Sequence, residues 1–200
     1  MNDTYLYEYT DQLGYALSFA HLNKYSLGAL EKAISYSSFF QKIEKGQTPI
    51  IEMGTLLKQL FPELLEFEES PIYSQCAWAA EAFLRIQKAT RLTFEAIFLY
   101  VPIRKMYEFF YLYHEMDFSQ IVGEFNALWK KKSILALAIK ARGISLRDIS
   151  KEIGIPYITL ESLKERKRDI KKFNLEKAVA LAALLNIRVE TLAELPINSF

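Results

Sequence analysis

A chain of 200 residues holds one large domain or two to three small ones. Its hydrophobic content of 51% supplies a packed core and excludes a disordered polypeptide, while a single cysteine, Cys76, excludes an intramolecular disulfide framework and suits a reducing cytoplasm. The net charge of +1 conceals a split: residues 130–200 carry fifteen Lys/Arg against eight Asp/Glu, a net of +7, and residues 1–129 carry ten against sixteen, a net of −6. Such asymmetry points to a polyanion partner for the basic part, with a merely solubilising surface as the plainer alternative.

The first nine residues include Asp3 and Glu8 and no basic residue, which argues against a secretory signal. The longest apolar run, Ala96 to Ile103, is far too short to span a bilayer. A cytoplasmic protein is therefore expected. Helical periodicity dominates, strand alternation is missing, and only seven glycines and six prolines interrupt the pattern, so the expected fold class is all-α. Breaks are expected at Gly46–Pro49, at Glu66–Pro71, near Asp117–Ser119 and at the Lys130–Lys132 run.

Three segments align without gaps over thirteen positions, starting at Ser26, Thr93 and Ser145. Each opens on a hydroxyl residue suited to capping a helix N-terminus. Each places an aliphatic residue at its fifth position (Leu30, Ile97, Ile149) and its ninth (Ile34, Val101, Ile153), a spacing of four that shares one helical face. A small residue or helix breaker follows: Ser35, Pro102 and Gly154. The starts lie 67 and 52 residues apart, too irregular for a solenoid, and three unrelated amphipathic helices would give the same pattern.

Residues 90–118, which include the second segment, contain nine aromatics, five of them within Tyr107–Tyr113. A helix carrying apolar side chains on nearly every side is either enclosed in a core or meets a partner. His114 falls in this cluster and reads as one of its packed members. Neither it nor His21, the only other histidine, has metal-ligand spacing with Cys76. Glycine-rich phosphate loops and nucleophile elbows are missing, and the acidic group Glu63, Glu66, Glu68 and Glu69 reads as a solvated linker. The expectation is a non-enzyme without cofactor or metal.

The third segment carries the most information. Ile134 to Ala141 forms an apolar-rich helix stopped at Gly143, and Ser145 caps a second helix that Gly154 closes. Gly154-Ile155-Pro156 makes the turn into a third helix, about Pro156 to Arg166, that buries Leu160 and Leu163. Asn174 caps a fourth helix, Leu175 to Leu185, and Val189 to Leu195 forms a fifth. The stretch Ser145–Leu163, with the ending Asn174–Leu195, resembles the lambda-repressor-like (XRE-family) helix-turn-helix DNA-binding domain. The resemblance covers about a third of the chain. A partial likeness recurs over residues 26–46, where Ile43-Glu44-Lys45-Gly46 is similar to the close of that family's reading helix.

The resemblance implies a third helix in the major groove of double-stranded DNA and a second helix near phosphates. Pro156, Tyr157, Ile158, Glu161 and Ser162 would then face base edges. Arg147, Arg166, Lys167, Arg168, Lys171 and Lys172 would meet phosphates, helped by Lys130–Lys132. Some positions depart from the pattern. Leu146 stands where a polar phosphate contact is common, and Tyr157 and Ile158 replace residues that read purines bidentately. Glu161 faces a phosphate-lined groove unfavourably unless a cytosine amino group donates to it. Glu165-Arg166 stands where a glycine is frequent.

The sequence therefore reads as an all-α DNA-binding transcriptional regulator with an acidic helical domain over 1–129 and a basic helix-turn-helix domain over 130–200. The first domain would contain two degenerate modules, about 10–66 and 71–129. It would serve homodimerisation or bind a protein or peptide partner. The rival reading is a protein-interaction module, antitoxin-like or antagonist, that reuses the helix-turn-helix fold.

Overall fold

The computed structural model describes residues 3–63 and 73–193, and every regular element among them is helical. The acidic linker residues Glu66, Glu68 and Glu69, and the expected end of the last helix at Leu195, lie outside the described residues. The chain divides into two compact units, one ending at Phe125 and the other beginning at Asn126. The division thus falls inside a helix, a few residues before the lysine run.

The first unit begins with α1 (Asp3–Leu22), α2 (Leu27–Tyr36), α3 (Ser38–Glu44) and α4 (Met53–Leu60). It continues with α5 (Ser74–Thr90), α6 (Phe94–Tyr100) and α7 (Ile103–Tyr113), and α8 (Phe118–Lys131) crosses the division. Helix α1 packs along α5, where the small residues Ala16, Ala20, Ala79 and Ala80 are fully buried and let the two backbones approach. Leu13, Leu17, Phe83, Phe40 and Phe94 fill the remaining core. Phe40 meets Phe94 edge-on at 5.4 Å between ring centroids, and Phe94 in turn lies 6.2 Å from Phe98.

The three aligned segments start alike. Ser26, Thr93 and Ser145 are N-caps whose side-chain oxygens accept the backbone N–H three residues on, at 3.3, 3.1 and 3.2 Å. Their fifth positions, Leu30, Ile97 and Ile149, are completely buried. They end differently: Ser37 alone separates α2 from α3, and Val101-Pro102 separates α6 from α7.

Helices α6 and α7 are also capped from a distance. The Glu44 carboxylate accepts the Phe94 N–H at 2.6 Å, and the Glu31 carboxylate accepts the Ile103 N–H at 2.7 Å. Each places negative charge at a positive helix end, where backbone donors have no partner within the helix. Burial pushes the Glu31 carboxyl above its usual range, and the Ile103 N–H draws it partly back. Both caps come from the α2–α3 region, so they join the first and second aligned segments.

Tyr107–Tyr113 forms most of α7 and is only partly enclosed. Ile103, Met106 and Phe109 are buried, whereas Tyr111 and Leu112 are 73% and 64% exposed. Apolar residues outnumber the buried positions that one side of a helix offers.

Replacing Glu31 by Ala removes an acceptor from the start of α7 and is expected to cost about 1–2 kcal/mol. Glu31→Gln keeps an acceptor oxygen and is expected to lose less than half as much. Urea unfolding of the two variants beside the parent protein checks the order.

Candidate nucleic-acid interface

The second unit contains α9 (Ile134–Arg142), α10 (Leu146–Ile153), α11 (Tyr157–Lys164), α12 (Leu175–Leu185) and α13 (Val189–Leu192), with a short 3₁₀ segment, Ile170–Lys172. Leu135, Ile149, Ile155, Leu160, Leu163, Leu181 and Leu185 form its core. Ile153, expected to be inward-facing, is partly buried against that core.

Local chemistry sets the boundaries. Ser145 caps α10 and is held in place by Asp148: the Ser145 Oγ accepts the Asp148 N–H, and its hydroxyl donates to the Asp148 carboxylate at 2.5 Å. Gly143 and Gly154 end α9 and α10 at φ +65° and +63°, a left-handed conformation that a side chain at Cβ disfavours. Ile155 then drops into the core at 1% exposure, and Pro156 is the N-cap of α11. Three residues therefore turn the chain from α10 into α11.

Two ties hold the far end of α11. The Ser133 hydroxyl donates to the Lys164 carbonyl at 2.6 Å while its oxygen accepts the Ala136 N–H at 3.1 Å. Arg166 sits at φ +57°, the left-handed position just beyond the helix. Its neighbours complete the helix end: the Arg166 N–H donates to the Leu163 carbonyl and the Lys167 N–H to the Ser162 carbonyl. The Arg166 guanidinium donates to the carbonyls of Trp129 and Lys130, at 2.6 and 3.4 Å.

The side chains expected to face bases occupy the exposed start of α11. Pro156 is exposed, Tyr157 is 40% exposed and Ile158 75%. Glu161 and Ser162 are half-buried one turn later. Tyr157 donates its hydroxyl to the Glu161 carboxylate at 3.3 Å, and Ser162 donates to the Ile158 carbonyl at 2.8 Å. All three polar side chains of this face are thus already engaged within the helix.

The expected phosphate contacts separate into classes. Arg147, Arg168, Lys171 and Lys172 are exposed. The Lys167 ammonium lies 2.6 Å from the Glu165 carboxylate, which draws the Glu165 pKa down and the Lys167 pKa up. Arg166 is committed to its two backbone carbonyls. A groove in this unit also brings Lys140 and Lys164 together with Lys130–Lys132. Sequence spacing did not single out Lys140 or Lys164, since they stand 24 positions apart and meet only because α9 packs against α11.

Among the described residues, no cluster of His, Cys, Asp and Glu could hold a metal ion, and no helix is long and apolar enough to cross a membrane.

Ser133→Ala removes the α9 cap and the α11 tie together and is expected to cost about 1–2 kcal/mol. Hydrogen exchange offers the check: the Ala136 amide should lose protection well before amides in the centre of α12.

No protein-family model, curated protein or solved structure matches this chain.

Proposed function

We propose that the second unit binds double-stranded DNA through a helix-turn-helix formed by α10 and α11, as the reading module of a transcriptional regulator. The observation that carries this reading is the α10–α11 pair: two eight-residue helices, a three-residue turn closed by left-handed Gly154, and an exposed start to the second helix. The charge of the unit supports it. Fifteen Lys/Arg against eight Asp/Glu suit a polyanionic backbone, and Arg147, Arg168, Lys171 and Lys172 stand exposed to meet phosphates. Pro156, Tyr157 and Ile158 would meet base edges, with apolar contact to thymine methyl groups in place of bidentate purine reading. The shared cap geometry at Ser26, Thr93 and Ser145 supports a common ancestry of three modules, of which only the last keeps a full turn and a basic surface.

DNA binding by the full chain should weaken steeply with salt. If ~5 phosphates are neutralised, the log–log slope is about −4 to −5. Arg168→Ala, Lys171→Ala and Lys172→Ala should each reduce that slope by about one, equally on all sequences. Tyr157→Ala or Ile158→Ala should change which base pairs are preferred. Arg166→Ala should instead lower folding stability, because its guanidinium holds α11 to the end of α8. Fluorescence anisotropy on duplexes across a salt series measures the first two effects, and thermal unfolding measures the third. Salt-independent binding, or none at low salt, removes the DNA reading.

One observation favours a second reading. Ile158 and Tyr157 offer an apolar face where a DNA reader usually presents Arg, Asn or Gln. A protein partner seated on α11, as in an antitoxin or antagonist, would use that face directly. It predicts that Ile158→Ala leaves DNA unaffected and abolishes a protein complex.

The regulator reading also includes a two-fold dimer, since one such module buries too little surface for tight specific binding and half-sites repeat about one helical turn apart. Leu112 and Met116, 64% and 52% exposed in the acidic first unit, are the apolar side chains assigned to that contact. Sedimentation of the full chain should give a dimer at micromolar concentration, and Leu112→Ser should give a folded monomer. A parent protein already monomeric at that concentration refutes the assembly.

A further inference from the structure

The first unit contains a cleft whose chemistry runs against the charge of its surroundings. It lies among the end of α1, the α1–α2 turn and α7. His21, Lys24 and Arg104 all line it, although the unit carries six more acidic than basic residues. All three are exposed, and neither Lys24 nor Arg104 makes an ion pair among the described residues. Among the described residues the lining holds one carboxylate, Glu108, which the Lys105 ammonium meets at 2.8 Å, while Glu63 accepts from the hydroxyl of Tyr25.

Other features of the cleft favour a ligand over plain solvation. Arg104 stands in the first turn of α7, one residue beyond the Ile103 N–H that the Glu31 carboxylate caps. Lys24, at φ +53°, ends α1 in a left-handed turn whose Lys24 and Tyr25 N–H groups donate to the His21 and Ala20 carbonyls, and its side chain lines the cleft. The walls between the cations are aromatic. Tyr25, Tyr107 and Tyr111 line the same cleft, with Ala20 and Leu27 as smaller apolar surface. Tyr25 and Tyr107 are fixed by contacts of their own: Tyr25 meets Phe61 edge-on at 4.8 Å, and the Tyr107 hydroxyl accepts from the Cys76 thiol at 3.6 Å. Tyr111, 73% exposed, meets Phe110 edge-on at 5.6 Å and leaves the rest of its ring open to the cleft mouth.

We infer that this cleft binds a small amphipathic anion: an aromatic ring carrying a doubly charged oxyanion, of the aryl phosphate class. Arg104 and Lys24 take the oxyanion, with His21 as a third donor, and the tyrosines take the ring. The guanidinium supplies directed paired hydrogen bonds and the ammonium a point charge, the combination that suits a phosphate dianion better than a single carboxylate. Stacking on tyrosine faces then selects for a flat apolar body. The site belongs to the first unit alone and is independent of whether the second unit binds DNA.

Isothermal titration of the full chain with phenyl phosphate, inorganic phosphate, benzoate and phenol tests the assignment. Phenyl phosphate should bind at least tenfold more tightly than each of the other three, and raised salt should weaken it. Arg104→Gln and Lys24→Asn should each weaken phenyl phosphate at least tenfold. Asparagine is chosen at position 24 because it tolerates the left-handed backbone. Both residues are exposed, so circular dichroism and thermal unfolding should match the parent, which separates a lost ligand contact from a lost fold. Tyr111→Ala should weaken phenyl phosphate while leaving inorganic phosphate unchanged. The proposal is overturned if phenyl phosphate does not bind, if inorganic phosphate binds equally well, or if the two charge variants bind phenyl phosphate as the parent does.

Discussion

The second unit depends on one hydroxyl. Ser133 is buried, and its oxygen both caps α9 and donates to the last turn of α11, so two helices distant in sequence share a single hinge of hydrogen bonds. The buried Leu160 and Leu163 fix the depth of α11 in the core but by themselves leave rotation about its own axis weakly specified. Arg166 adds a second restraint from the same side through the Trp129 and Lys130 carbonyls. The exposed start of α11 is consequently presented by a helix anchored at its other end. That arrangement suits recognition by a rigid element, whatever the partner.

The first unit solves a related problem with charge. Glu31 reaches from α2 to the start of α7 and Glu44 from α3 to the start of α6, so the two pairs of helices are joined by carboxylate-to-amide bonds besides apolar contact. Glu44 is almost fully buried at 1% exposure, and a carboxylate so placed is sustained by backbone donors rather than by water. Acidity in this unit is therefore partly architectural. The basic cleft between α1 and α7 stands out against it for that reason.

Much of the second unit was legible in the sequence because its punctuation is local. Ser145, Gly154, Gly143 and Asn174 act on backbone groups within four residues of themselves, and the caps and left-handed ends appear at those positions. Leu160 and Leu163 follow from helical spacing alone. The third helix is shorter than spacing suggested, Tyr157–Lys164, because Pro156 serves as its N-cap and Arg166 turns left-handed. What the sequence concealed is non-local. Arg166 read as a phosphate contact, yet its guanidinium spans 36 and 37 positions back to the Lys130 and Trp129 carbonyls. Lys140 and Lys164, the reach of Glu31 to Ile103 across 72 positions, and the placing of Lys24 and Arg104 on one cleft all depend on packing that no periodicity encodes. The aromatic run over Tyr107–Tyr113 was ambiguous for a different reason. Composition shows how much apolar surface a helix carries, but which side stays wet depends on its neighbours.

Lys24, Arg91 and Arg166 all hold a left-handed backbone where glycine would be comfortable, at φ +53°, +60° and +57°. Each costs about 1 kcal/mol against a relaxed conformation, a noticeable share of the roughly 5–15 kcal/mol that keeps a domain folded, with Lys24 and Arg91 in the first unit and Arg166 in the second. At Arg166 the guanidinium repays the cost through its two carbonyls, and at Lys24 the ammonium stands in a cleft. Arg91 stands in neither place, and it terminates the long helix α5. The protein therefore carries latent thermostability at that position, open to drift or to engineering, while the other two tie backbone economy to chemistry and leave selection little room for glycine.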